Sequence, residues 1–221
     1  MLCAMSLWDD VAAERRAIAD LLGTLTPEQW ATPSLCGAWT VRDLAAHLVM
    51  PHTATLPRFA LSMLKARGSF ERANVAMTAT QAARPTAELV ADLRRFAEGR
   101  FCPPGMPAVS QLAEILVHGQ DLRIPLGIDD TRAPQSWAEA LDFLMTPKAR
   151  RGFVGRGLPA MRWVAVDVDW HHDPAEATGD LPDVRGPASA LGLSIMGRRP
   201  GLARLTGTGV ARLTAWLDVR G

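Results

Sequence analysis

The sequence predicts an α+β protein: an up-and-down bundle of four helices over residues 6–150, then a small α+β domain over residues 151–221. Three observations carry this. Apolar residues recur at helical spacing from Ser6 to about Ala149. Gly152, Gly155 and Gly157 interrupt the pattern after Lys148 and mark a linker. Residues 161–170 then alternate apolar and charged side chains with β-branched enrichment, as a strand does.

Taken in order, Ser6 and Asp9 have the spacing of a capping box, followed by Val11, Ile18, Leu21, Leu22 and Leu25 on a helix loosened at Gly23. Thr26-Pro27-Glu28-Gln29 reads as an N-cap, a first-turn proline and an early acid, which predicts a short helix through Trp30. After a loop at 33–37, Thr40 caps and Asp43 favours the positive end of a helix carrying Leu44, Ala45, Leu48 and Val49. Pro51 and Pro57 kink or break it before a helical stretch to Lys65. Residues 71–83 and 85–99 form helices divided at Arg84-Pro85, and 102–107 is a Pro-rich loop. Residues 108–124 are strongly helical up to Pro125 and Gly127, and 134–145 make the last helix of this half. Beyond the predicted strand lie polar turns to Gly186, a helix over 187–196, a strand at 202–206 and a helix over 210–217.

Composition removes several function classes. With 24 basic side chains against 23 acidic, the formal charge of +1 gives no general basic surplus for nucleic acid or for a polybasic membrane ligand, although a local patch stays open. Charge-free stretches such as 44–57 are too short and too interrupted for a membrane span. The first eight residues lack a positive segment and run into Asp9-Asp10, unlike a signal peptide, so a cytoplasmic protein is expected. Three scattered cysteines, Cys3, Cys36 and Cys102, suit reduced thiols rather than a disulfide framework or zinc knuckle. All basic residues but Lys65 and Lys148 are arginines, which reads as coding by a GC-rich genome.

Five histidines are available for chemistry: His47, His52, His118, His171 and His172. Glu114 and His118 are four residues apart on one helix, about 40° apart around its axis, and can share a ligand. His47 sits on another helix. Two histidines and a carboxylate converging from facing helices would give a divalent metal three ligands and leave one position open, the catalytic arrangement. The same stripe also holds Ser110, Gln111 and Asp121 and equally suits a solvated face, while His47 equally suits the edge of a core. His52 and the His171-His172 pair read as surface residues, Cys36 as a buried inert thiol, and Trp39 as a core anchor.

Leu35-Cys36-Gly37-Ala38-Trp39-Thr40-Val41-Arg42-Asp43-Leu44-Ala45-Ala46-His47-Leu48 resembles the N-terminal motif of the mycothiol-dependent maleylpyruvate isomerase family, within the DinB-like metal-binding bundles. Val117-His118-Gly119-Gln120-Asp121-Leu122-Arg123-Ile124-Pro125-Leu126-Gly127 resembles a second block of that family. Val166-Asp167-Val168-Asp169-Trp170, Val184-Arg185-Gly186-Pro187-Ala188 and Met196-Gly197-Arg198 resemble members with a small C-terminal domain. The resemblance implies a DinB-like bundle with a divalent metal, zinc or alternatively nickel, held by His47, Glu114 and His118. It also implies mycothiol as the thiol cofactor, a small-molecule electrophile as substrate, and an actinobacterial host that the arginine bias suits.

The implied chemistry is a metal-activated thiolate that adds to an activated double bond, permits rotation and leaves, or that stays attached in a transferase. Asp121 and Arg123 are candidates for orienting a metal-bound histidine or for structural salt bridges, and Arg198 for pairing with a carboxylate of thiol or substrate. A non-catalytic member that binds a metal or small molecule is the competing expectation. No nucleic-acid or membrane partner is expected.

Overall fold

A computed structural model describes residues 6–129, 132–155, 157–174 and 180–219. Cys3 and residues 175–179 of the turn-rich segment lie outside them. The chain is α+β, as expected, with two compact units: residues 1–106 with 118–130, and residues 107–117 with 131–221.

The first unit is helical. It holds α1 (Leu7–Leu22), α2 (Pro27–Trp30), α3 (Val41–Thr53), α4 (Leu56–Lys65), α5 (Phe70–Ala82) and α6 (Thr86–Arg95). The second half of the continuous helix α7 (Val109–Arg123) completes it. Helix starts follow the expected chemistry, since capping boxes form at Ser6 with Asp9, Thr26 with Gln29 and Thr40 with Asp43. Helix α3 runs through Pro51 to Thr53, and the expected break falls between it and α4. Helix α6 packs on both α1 and α3, and Val11, Ile18, Leu44, Leu89 and, on α7, Leu122 are fully buried. Arg15 reaches across from α1 to the turn after α6 and donates from Nη1 to the carbonyls of Ala97 (3.1 Å) and Gly99 (2.6 Å).

The second unit is built around α10 (Ala188–Ile195), every residue of which is buried. Helix α8 (Pro134–Leu144) lies against it so closely that a Cβ on Gly192 would stand 2.6 Å from the Trp137 ring. A three-stranded sheet covers another side: β1 (Arg162–Ala165) pairs parallel with β3 (Asp183–Gly186) and antiparallel with β2 (His171–His172). Helix α11 (Val210–Asp218) follows a 3-10 turn, Arg199–Arg204.

Several expectations are corrected here. The expected linker after Lys148 begins as α9 (Pro147–Gly152), capped by Thr146. The expected strand over 161–170 is cut at Ala165, because Asp167 turns away to accept the amide of Ala188 at the start of α10 (2.9 Å) and Trp170 returns to pair with Ala165. Strand β3 lies in the segment expected to be turns. The expected strand over 202–206 is instead the end of the 3-10 turn, where Gly201 packs onto Ser194 and Ala190, with only Thr206 bridging to Arg185. Helix α8 belongs to the second unit, where it packs on α10.

Candidate metal centre

The loop before α3 and the second half of α7 build the site from the sequence upward. Thr40 caps α3 through the amide of Asp43 (3.2 Å), while Asp43 Oδ2 accepts from the Thr40 amide (2.9 Å) and hydroxyl (2.6 Å). This fixes the phase of the helix on which His47 stands two turns later. Trp39 leaves the cap and packs against His47, ring centroids 4.9 Å apart and planes tilted by 42°. Trp39, expected as a core anchor, is only half-buried and instead walls a histidine.

His47 in turn meets His118 edge to face, with centroids 5.3 Å apart and the planes at 84°. The Nδ1 of His118 lies 2.9 Å from Asp121 Oδ2, one helical turn on, and the Asp121 side chain is fully buried. A carboxylate only accepts, so Nδ1 carries the proton and Nε2 keeps its lone pair. Asp121 thus selects the tautomer that can bind a cation through Nε2.

Glu114 stands one turn before His118 on the same unbroken helix, so α7 alone sets the spacing of this pair. Its Oε2 accepts a hydrogen bond from Gln111 Nε2 at 3.1 Å. Through α7, His47, Glu114 and His118 offer one ligand atom each within 4.8 Å of one another. Two imidazoles and a carboxylate are a fitting donor set for zinc or another first-row divalent ion, and too rich in nitrogen for calcium or magnesium. The polar stripe of α7 is also not a solvated face: Ser110, Gln111 and Asp121 are all buried.

The other candidates fall in different places. Arg123 forms a buried ion pair with Glu14 of α1, both side chains at most 5% exposed, so the structural salt bridge is what the fold provides. Arg198 belongs to the second unit, where its Nη1 donates to the Met196 carbonyl at 2.7 Å. His52, expected at the surface, stacks on Phe96 with centroids 5.5 Å apart.

Cys36, expected to be a buried inert thiol, is half-buried. The Leu35 amide bonds to the Asp121 carbonyl (3.1 Å) and the Cys36 amide to Ser34 Oγ (3.1 Å), so the loop is pinned to α7 and the Cys36 sulfur comes to the His118–Asp121 pair. The one signal in the sequence was the position of Cys36 beside the helix that bears His47.

Among curated proteins none matches the chain. A solved structure described as "Crystal structure of the mycothiol-dependent maleylpyruvate isomerase" superposes with a TM-score of 0.49 and 15% identity, over 92% of this chain and 96% of that one. Residues 11–100 match the family described as "Mycothiol maleylpyruvate isomerase N-terminal domain"; His47 lies inside that span, Glu114 and His118 beyond it. The segment that runs from within α1 to just past α6 is thus similar to that N-terminal domain.

Proposed function

We propose that the protein is a mycothiol-dependent metalloenzyme acting on a small electrophile, by maleylpyruvate-type cis–trans isomerisation or by transfer of the thiol. The observation that carries this reading is the convergence of His47, Glu114 and His118, with His118 oriented by buried Asp121. A divalent cation at these three residues, zinc or nickel, supplies a Lewis acid that lowers the pKa of a thiol at its remaining position.

The chain's own groups do the positioning. Asp121 keeps the proton on Nδ1 of His118, Gln111 turns the Glu114 carboxylate, and Trp39 limits rotation of His47. Three protein donors would leave a metal one position for thiol or substrate, as catalytic rather than structural sites do. In this proposal Arg198 is retained as a carboxylate-binding candidate for thiol or substrate.

The test is metal content by mass spectrometry of protein purified without a histidine tag, beside His47→Ala and His118→Ala, followed by thiol-dependent turnover of activated alkenes. Near-stoichiometric metal in the wild type that is lost in His118→Ala, with mycothiol-requiring turnover lost in both variants, is the expected result. Wild-type protein that stays metal-free after incubation with zinc and nickel would overturn it. Metal without turnover would favour a binding module.

A further inference from the structure

We propose a second cation-binding set that shares His118, formed by Cys36, His118 and Asp121 and suited to a thiophilic divalent ion. The three offer a sulfur, an imidazole nitrogen and a carboxylate oxygen, all within 4.8 Å of one another. They belong to one compact unit and are held by backbone bonds rather than by side-chain chance: the Leu35 amide is bound to the Asp121 carbonyl, and the Trp39 amide closes the turn on the Cys36 carbonyl at 3.2 Å. Gly37, at φ +61°, makes that turn in a conformation other residues seldom adopt. Asp121 is fully buried and Cys36 half-buried, so the set has one anionic anchor inside the protein and a thiol that an ion can reach.

The donor chemistry selects the ion. Thiolate with imidazole favours zinc, cobalt or cadmium over magnesium or calcium. On binding, the Cys36 thiol gives its proton to solvent and the Sγ–metal bond forms. His118 then turns the lone pair of Nδ1 to the ion while its ring proton moves to Nε2.

A neutral imidazole has a single nitrogen lone pair to give. His118 can therefore serve this set or the set with His47 and Glu114, but not both at once. An ion held by Cys36 takes His118 away from the proposed catalytic centre, which makes the set inhibitory and limits the protein to one tightly held ion through His118. The exclusion rests on the proposed function; the binding itself does not.

The test is titration of metal-free protein with Co²⁺, read by the thiolate-to-cobalt charge-transfer absorption in the near ultraviolet. In His47→Ala, and separately in Glu114→Gln, which dismantle the other set, Co²⁺ is expected to bind with that band. The band should vanish when Cys36→Ser is added and persist with Cys102→Ser. Absence of the band in either folded variant, checked by circular dichroism, overturns the proposal. Cys36→Ser alone should still bind Co²⁺ through His47 and Glu114. If it binds while the dismantled variants show no band, the inference falls and the proposed catalytic centre stands. If it binds none while the band is present, the reverse holds.

Discussion

His118 Nδ1 and Asp121 Oδ2 are 2.9 Å apart on successive turns of α7, with the carboxylate fully buried and the imidazole side chain 12% exposed. A buried carboxylate that fixes the tautomer of a metal-binding histidine typically contributes about 10- to 100-fold in metal affinity. Asp121→Asn keeps the shape but can hold either tautomer. It should weaken zinc binding by about that factor with little change in helix content, as measured by competition with a chelator; unchanged affinity would remove Asp121 from the orienting role.

Arg123 and Glu14 form the buried ion pair of the first unit. Removing one partner of such a pair costs about 3–5 kcal/mol because the other charge stays buried, whereas replacing both can be near neutral. Arg123→Met should therefore destabilise strongly in urea unfolding, and Glu14→Leu with Arg123→Met should recover most of the loss. Metal binding per folded molecule should survive in the double variant, which separates this pair from the chemistry.

Gly119 lies under the same pair. A Cβ there would stand 2.6 Å from Arg123 Nη1 and closer still to Glu14 Oε1. Alanine gains up to about 1 kcal/mol of helix propensity over glycine, but overpacking a filled interior costs about 1–3 kcal/mol. Gly119→Ala should lower the unfolding midpoint; a rise would mean that the pair moves aside at no cost.

Thr40 starts the helix that carries His47. Thr40→Ala removes the cap and the hydroxyl that donates to Asp43, at a cost of about 1 kcal/mol. Thr40→Ser should restore most of it. Because the cap sets the first turn of α3, amide exchange at 41–44 should quicken in Thr40→Ala while residues 89–93 keep their protection.

Asp183 gives the second unit an acid-sensitive clasp. The Arg185 guanidinium 2.6 Å away, then the amide and hydroxyl of Thr208, hold its pKa at about 2, below the ordinary 3.8. The folded state thus binds this proton less readily than the unfolded chain. The stabilisation is fully present above pH 3.8 and is lost as pH falls through about 2. Wild type and Asp183→Asn should differ in thermal stability at pH 6 and converge between these values; a constant gap would assign the effect to something other than the charge.

The sequence by itself determined the helix starts, because a cap needs only a hydroxyl and a carboxyl or amide three residues apart: Ser6, Thr26 and Thr40 all cap as their local sequence requires. It also placed Glu114 and His118 on one face, since four residues make about one helical turn. Tertiary structure decided the rest. Strand β3 and the shortened β1 depend on pairing across sequence-distant segments and on the Asp167 contact with α10, which no local pattern encodes. Whether Ser110, Gln111 and Asp121 met water or protein was open on a helical wheel, and packing buried them. The wheel likewise cannot bring a loop cysteine to a helix 80 residues on. The Leu35–Asp121 backbone bond does so, and it makes a thiol expected to be inert a neighbour of His118.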